Sequence, residues 1–302
     1  MNAIQQLLTE HIGIWSAADT EKKSGRGRTS GNAASVYGIK KLRELILELA
    51  VRGKLVPQDA KDEPASELLK RNQAMKINLG AEGKTKKGRL LPPIVEADKP
   101  FDIHQGWCLE KLGNLANLIT KGTTPTSIGF TYQNSGISFV KVENVRAGRI
   151  NIDSIDQYIS EEADEALARS RLLSGDVLFS IAGTIGRTCI VYPDDVPANT
   201  NQAFAIIRGT ETVFYQMFLL RQLDSFVSNK IKDRARGGAM YNVSLSDLAE
   251  LVLLIPPLAE QHRIVAKVDE LMALCDRLKI LVTDANRLQQ KLADVITNRA
   301  VA

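Results

Sequence analysis

The sequence predicts an α+β protein: a strand-rich mixed domain flanked by N-terminal helices and by a long C-terminal coiled-coil-like helix. Two observations predict this class. Between Trp107 and Pro257, short apolar runs alternate with Gly, Asn, Asp and Pro, a pattern typical of strands joined by turns. Residues 259–299 contain neither Gly nor Pro, and their apolar positions recur at helical spacing.

The same patterns divide the chain into four expected segments. Helical spacing in the first residues gives way to a stretch rich in Gly and Ser, which predicts an N-terminal helix and a flexible linker. A helical region follows, then the strand-rich domain, and then the long helix. In order, these segments are residues 1–35, 36–100, 101–257 and 258–302.

Two helices are expected in residues 36–100. The first has an apolar stripe and ends near Gly53, because glycine commonly terminates a helix. Its stripe residues are Leu42, Leu45, Ile46 and Leu49. The second begins at Pro64, since proline suits the first turn of a helix, and either Asp62 or Ser66 is expected to cap it.

The central domain is expected to contain several strands and one helix. Each expected strand is a short apolar run bounded by turn residues. The strands are residues 137–142, 176–181, 188–191 and 204–207. Apolar residues fall mostly on one side of residues 212–229, which predicts a helix there. The acidic residues within 161–165 are interpreted as the solvated first turn of a helix rather than as an acid/base pair.

Composition restricts the class of protein and its location. A net charge of +4 is only mildly basic, and it is compatible with nucleic acid, with an acidic protein partner or with neither. No apolar run approaches the ~20 residues that cross a bilayer, so no membrane span is expected. The first ten residues lack a basic stretch followed by an apolar core, so the sequence predicts no secretory signal and a cytoplasmic protein.

Motifs for metal, nucleotide and covalent chemistry are not found in the sequence. Its cysteines are odd in number and far apart, and its histidines lack ligand-type neighbours, so neither a disulfide framework nor a metal site is expected. These residues are Cys108, Cys189, Cys275, His11, His104 and His262. Residues 180–187 resemble a phosphate loop but lack its terminal Lys-Ser/Thr, and a glycine turn between two strands is the better interpretation.

Three polar segments are candidates for nucleic-acid contact. Residues 230–238 form a basic loop whose paired glycines let its backbone approach phosphates, although a solvated helix end is equally compatible. Residues 120–125 offer a cation, hydroxyls and backbone donors, but can also form an ordinary turn. The amides of residues 199–202 can pair with adenine edges or satisfy loop backbone. Together with the glycine turn and its flank, these segments predict contacts from Lys121, Thr123, Thr124, Arg187, Asn201, Arg234, Arg236 and Tyr241.

The apolar stripe of residues 259–299 advances in alternating steps of four and three residues, as in a heptad repeat. A helix of this length spans roughly 60 Å and needs a partner helix to cover the stripe. The expected interface residues are Leu42, Leu45, Leu49, Ile264, Val268, Leu271, Cys275, Leu278 and Val282.

Residues 41–58 (KLRELILELAVRGKLVPQ) and 62–69 (DEPASELL) closely resemble the conserved region of the specificity subunits of type I restriction–modification enzymes. Further marks of that family occur along most of the chain from about residue 36 onward. They are Gly106-Trp107, Leu112-Gly113, KGTTP at 121–125, GDVLF at 175–179, IPPL at 255–258, Glu260-Gln261 and VDELM at 268–272.

The resemblance implies a non-catalytic subunit that binds double-stranded DNA and directs adenine methylation and restriction at a split target. Members usually have two target-recognition domains separated by long helices, whereas one such domain is seen here, which implies a half-length form. Two copies are then expected to pair through their helices as a homodimer. Residues 40–75 and 259–299 are expected to dock methylation subunits, and S-adenosylmethionine and ATP are expected only in the partner methylation and restriction subunits.

Three other functions remain open at this point. An orphan DNA-binding protein without partner subunits has the same DNA-contacting features. An enzyme that both recognises and modifies DNA is disfavoured because neither an Asn-Pro-Pro-aromatic nor an Asp-Pro-Pro-Tyr motif occurs in the sequence. A pure coiled-coil assembly protein leaves the strands and the basic segments without a role.

Overall fold

The computed structural model describes Glu10, Trp15 and residues 37–83, 90–95, 101–234 and 243–301. Two compact units are present. One comprises Met1–Pro57 with Ile264–Ala302, and the other comprises Gln58–Arg263. Residues 58–100, which the sequence assigns to the helical region, therefore group with the strand-rich unit. The expected linker at 22–35 lies outside the described residues.

Helix α1, Tyr37–Val51, belongs to the first unit and confirms the first expected helix. Its buried positions recur every three or four residues, so they form one face. They are Gly38, Ile39, Leu42, Ile46 and Ala50. Leu45 and Leu49, expected on the same stripe, are only half-buried. Gly53 follows the helix with φ 66°, a left-handed conformation that glycine adopts without a steric cost, as the sequence predicts.

Helix α2, Ala65–Ala81, belongs to the strand-rich unit because polar side chains join it there. Asn72 is buried and donates to the Leu115 carbonyl at 3.2 Å and to Thr212 Oγ1 at 2.8 Å. Lys76 Nζ donates to two backbone carbonyls at 2.7 Å each. The prediction that Asp62 or Ser66 caps this helix is wrong, since its N-cap residue is Pro64 and no side chain caps it.

Eleven strands form four sheets in the described residues. The largest is antiparallel, in the order β2 (Leu118–Lys121), β10 (Phe204–Arg208), β7 (Val177–Ser180), β8 (Thr188–Ile190). The second has the order β6 (Tyr158–Ile159), β3 (Ile137–Val140), β9 (Ala198–Thr200), and β3 pairs with β9 in parallel. The two smallest pair β1 (Cys108–Lys111) with β11 (Val252–Ile255) and β4 (Val145–Arg146) with β5 (Arg149–Ile150).

The unit also contains three short helices and one long one. The short helices are α3 (Leu112–Leu115), α4 (Glu161–Ala166) and α6 (Leu245–Ala249), and the long one is α5 (Gln216–Arg234). All four expected strands are confirmed, with ends displaced by at most two residues. The helix expected at 212–229 begins four residues later and continues to Arg234.

The core lies on both faces of the four-stranded sheet. Leu178 and Ile206 pack with Val140 and Ala198 of the neighbouring sheet, and all four are fully buried. Phe179, the next residue of β7, is buried on the opposite face. Burial on both faces explains why these strands are continuous apolar runs rather than alternating ones.

Polar residues at the start of helix α7, Leu258–Val301, hold that start to the strand-rich unit. Glu260 is buried and accepts a hydrogen bond from Trp107 Nε1 at 2.9 Å. Gln261 is also buried, and its amide bonds three backbone groups at 2.8–3.0 Å. Arg263 forms two hydrogen bonds to Asp62, at 3.2 and 2.5 Å. The polar side chains at the start of α7 therefore bind other residues of the strand-rich unit.

Helix α7 confirms the long helix that the sequence predicts, and its 44 residues span about 66 Å. The apolar stripe of α7 is buried within the chain from Ile264 to Cys275, and an ion pair between Arg43 and Asp276 joins the helix to α1. The side chains from Ile280 onward are nearly all exposed.

Candidate nucleic-acid interface

Strand register brings several polar loops to one end of the four-stranded sheet. Lys121 at the end of β2 pairs with Ala205, which pairs with Phe179, which pairs with Thr188. These residues form a row across the sheet, so the loops next to them emerge side by side. We call this end the loop edge, and its loops are residues 121–124, 181–187 and 201–203.

Two of these loops are packed backbone to backbone. Gly122 N donates to the Phe204 carbonyl at 3.2 Å, and Thr123 N donates to the Thr200 carbonyl at 3.1 Å. A Cβ atom on Gly122 would lie 2.1 Å from the carbonyl oxygen of Asn201. Only glycine allows this close approach. The KGTTP turn at 121–125 therefore needs Gly122 in order to pack against the neighbouring loop.

The side chains of these loops form an exposed polar group. Lys121 is exposed, and no side chain in the described part of the chain pairs with it. Thr124 Oγ1 bonds Gln202 Oε1, and Thr123 Oγ1 accepts from Arg169 Nη2 at 3.4 Å. The hydroxyl and amide groups suit base edges, and the two cations suit phosphates.

Arg169 is the residue of this group that sequence reasoning missed. It lies on a single 3₁₀ turn, Ala168–Ser170, which packs beside β2. It is exposed, and it forms no ion pair with any residue that the structure describes. The only local signal is an arginine in a turn between acidic helix α4 and strand β7. Arg169 is 46 residues from Thr123 in sequence, so a local pattern cannot predict their contact.

Arg187 has a structural position in the loop between β7 and β8. Its Nη1 donates to the carbonyls of Val142 at 2.9 Å and Val145 at 3.5 Å, and its side chain is half-buried. Its backbone N donates to Ser180 Oγ at 2.7 Å, which closes the glycine turn that the sequence predicts. We therefore expect Arg187 to hold neighbouring backbone, and direct contact with DNA remains a prediction.

The amide residues near β9 divide between two roles. Asn199 is buried and donates to Asp164 Oδ1 at 2.9 Å, so it is structural. Asn201 lies at the loop edge, where its Oδ1 accepts from Ala203 N at 3.0 Å. Asp164 also binds Arg171 and is buried, so the interpretation of the acidic run as wholly solvated is wrong at that residue.

The basic segment 230–238 is not a loop at its start. Helix α5 continues through Arg234, because nothing in its sequence up to that residue is a helix breaker, and the first glycine of the segment is Gly237. The next described element is helix α6. The side chain of Arg234 and the whole of Arg236 and Tyr241 lie outside the described residues, so their DNA contacts remain predictions.

Most of the residues expected at a helix–helix interface are buried inside the chain. Leu42, Ile264, Val268, Leu271 and Cys275 are each at most 4% exposed, so they are core residues of this chain rather than a free surface. Leu278 and Val282 are half-buried. The large apolar side chains that remain exposed on α7 are Leu258, Leu274, Ile280, Leu281, Leu288, Leu292, Val295 and Ile296.

The described part of the chain was also compared with the requirements of a metal site, a reactive thiol and a membrane-spanning helix. No group of three or more His, Cys, Asp or Glu side chains there could hold a metal ion. Burial raises the pKa of the Cys189 thiol far above its usual range, which opposes the formation of a thiolate. None of the described helices is both long and apolar enough to cross a membrane.

Comparison with known proteins gives three related matches. Residues 104–281 match the family described as type I restriction modification DNA specificity domain. The chain is 33% identical over 271 residues to the specificity subunit of the type I restriction enzyme EcoAI of Escherichia coli, covering 86% of this chain and 44% of that protein. It is 36% identical over 284 residues to the EcoEI specificity subunit of Escherichia coli, covering 92% and 46%.

The chain thus spans less than half the length of these relatives. Among solved structures, the HsdS subunit from Thermoanaerobacter tengcongensis is 19% identical with a TM-score of 0.48, covering 90% of this chain and 64% of that one. The matched family domain covers more than half of the 302 residues and includes every strand and the first half of α7. The chain therefore belongs to the type I restriction modification DNA specificity family.

Proposed function

We propose that this chain recognises a specific sequence in double-stranded DNA and directs adenine methylation and restriction by partner subunits in the cytoplasm. The observation that carries the proposal is the loop edge. There, two exposed cations lie beside hydroxyl and amide groups on a rigid four-stranded sheet. Cations positioned by backbone contacts bind phosphates, whereas fixed hydroxyls and amides discriminate between base edges.

Rigidity favours base reading over general DNA affinity. Gly122 and Thr123 are held by backbone hydrogen bonds to the neighbouring loop, so the threonine hydroxyls have defined positions. Gln202 is exposed and is positioned through Thr124, and its amide can pair with an adenine edge. A surface that only neutralised phosphates would not require such fixed hydrogen-bonding groups.

Partner subunits supply the chemistry in this proposal. S-adenosylmethionine and ATP are assigned to methylation and restriction subunits, and residues 40–75 and 259–299 are assigned to docking. The family match and the two relatives named as specificity subunits of type I restriction enzymes support a role in specificity for this chain.

Self-association through the end of α7 is part of the proposal. The apolar side chains beyond Ile280 are exposed along several helical turns, and such a surface is normally covered in solution. A second copy offers an identical apolar surface, and two copies would place two recognition units on a split target.

The test is co-expression with the methylation subunit encoded nearest to the chain, followed by mapping of methylated adenines. We expect methylation at one split motif. A double variant, Lys121→Gln with Arg169→Gln, should keep complex formation but weaken DNA binding and so reduce methylation at that motif, because both cations are assigned to phosphates.

Asn78→Asp is the control, because it changes charge on an exposed part of α2 outside the loop edge. A complex that methylates adenines without any shared sequence would contradict the proposal. Equal methylation by the double variant and the wild type would show that the loop edge is not the reading surface.

A further inference from the structure

The hairpin of β4 and β5 presents two arginines that the recognition site described above does not use. Its turn consists of Ala147 and Gly148, with φ values of 50° and 77°. A two-residue hairpin turn of type I′ has left-handed conformations at both positions, and alanine rarely adopts one. The surroundings must therefore hold this turn in place.

Arg146 and Arg149 are directly opposite each other in the hairpin, and both are exposed. Like charges in this arrangement repel each other and weaken the strand pair. In the described chain neither forms an ion pair, and the acids Glu143 and Asp156 bind Lys141 instead, at 3.2 and 3.0 Å. An anion bound between the two guanidinium groups would remove the repulsion.

Rigid contacts hold the hairpin beneath these arginines. Arg187 donates to the carbonyl of Val145, the first residue of β4, and to that of Val142 just before it. Ile190 N donates to the Gly148 carbonyl at 3.2 Å, and the Arg149 guanidinium lies 4.1 Å from the centre of the Tyr192 ring. Both arginines are thus presented on backbone that cannot easily move away.

The hairpin lies at the β8 side of the loop edge. It is bound by Arg187, which immediately precedes β8, and by Ile190, the last residue of that strand. Lys121 and Arg169 lie at the β2 side. Three strand spacings separate β2 from β8, about 14 Å. The hairpin lies outside β8, so its arginines and the β2-side cations are separated by a distance of the same order as the ~12 Å width of the DNA major groove, whose two borders are phosphate chains.

We propose that Arg146 and Arg149 bind phosphates of the recognised duplex, on the strand opposite to that bound from the β2 side, and that Arg187 is the positioning residue of this hairpin. The inference rests on the proposed recognition of double-stranded DNA. It adds a second phosphate contact and gives a role to Arg187.

Salt dependence of DNA binding tests the phosphate contacts. The full chain and its variants Arg146→Gln and Arg149→Gln, singly and together, are titrated with a fluorescein-labelled duplex of random sequence from about 50 to 200 mM salt. Each lost phosphate contact should reduce the slope of log K against log salt by about 0.9. Asn78→Asp should leave the slope unchanged, and thermal melting should show that all variants fold.

A double-mutant cycle tests the positioning role. Arg187→Lys keeps the charge but cannot bind both carbonyls in the same geometry. It should weaken DNA binding in the wild-type background and have no further effect when both hairpin arginines are glutamine. Its effect on thermal melting should be the same in both backgrounds, which separates positioning from general stability.

An unchanged slope in the double glutamine variant would overturn the proposal. Additive losses in the cycle would show that Arg187 acts independently of the hairpin. A wild-type chain that binds no duplex, even with its methylation subunit, would contradict the proposed function itself.

Discussion

At the residue scale, the loop edge depends on the glycine of the KGTTP turn. Gly122 is required because two backbone oxygens, of Asn201 and Thr200, would lie 2.1 and 2.3 Å from any Cβ atom there. Backbone cannot rotate away as a side chain can, so a larger residue must displace one of the two loops. The positions of Thr123 and Thr124 depend on this approach.

Gly122→Ala should therefore destabilise the strand-rich unit by about 1–3 kcal/mol and weaken binding to the target duplex more than binding to random DNA. Urea unfolding and duplex titration measure the two effects. Gly80→Ala is the matched control, because no atom lies within 4 Å of its Cβ position and alanine favours the helix. Wild-type stability and specificity for Gly122→Ala would contradict the tight packing.

At the scale of elements, the start of α7 depends on buried polar contacts. Glu260 is buried, and this burial raises the pKa of its carboxyl above the ordinary value of 4.5, with the Trp107 hydrogen bond opposing the shift. One carboxylate oxygen, Oε1, has no hydrogen-bond partner among the described residues. Ionisation of the Glu260 carboxyl therefore destabilises the folded chain.

This cost gives a pH dependence with a definite sign. The folded chain binds the Glu260 proton more tightly than the unfolded chain, so its contribution to stability falls as pH rises from 4.5 through the folded pKa. Glu260→Gln should remove this fall. Its unfolding free energy relative to wild type should thus increase as pH rises above 4.5 through the folded pKa, as measured by urea denaturation. A pH-independent difference would contradict the assignment.

A second element depends on a buried pair at the start of β7. Asp176 is 1% exposed and accepts hydrogen bonds from Arg208 Nε and Nη2 at 2.7 and 2.6 Å, and it also accepts one from Leu173 N. The pair joins two neighbouring strands, β7 and β10. Two residues of the GDVLF motif thus have structural roles. Gly175 forms a turn with φ 91°, and Asp176 binds Arg208.

At the scale of the whole molecule, the distribution of apolar residues along α7 separates folding from assembly. The first part of its stripe is buried within the chain, whereas Leu292 and Ile296, which continue the stripe, are 61% and 60% exposed. Side chains with this exposure contribute little to the folding of one copy.

Leu292→Glu with Ile296→Glu should convert a self-associated chain to a monomer at micromolar concentration, with thermal melting of the strand-rich unit unchanged. Light scattering coupled to size exclusion measures the mass. Ile280→Glu is the control, since Ile280 is 61% exposed but lies off the stripe. A wild-type monomer would contradict self-association, and a dimeric double variant would place the contact elsewhere.

Local pattern determined the elements of this protein. Strands β3, β7, β8 and β10 and the long helix follow from apolar runs, helical spacing and the position of Gly and Pro, because these depend on near neighbours in sequence. The loop 121–124 was also identifiable from its residues. Its interpretation as a nucleic-acid contact came from side-chain chemistry and from family resemblance.

Only the tertiary structure decided which side chains meet and which are buried. Arg169 lies beside Thr123, Asp62 binds Arg263, and α2 joins the strand-rich unit through Asn72. Each contact joins residues far apart in sequence. Burial and pairing of a polar side chain depend on elements that fold over it from elsewhere in the chain, and no local pattern carries that information.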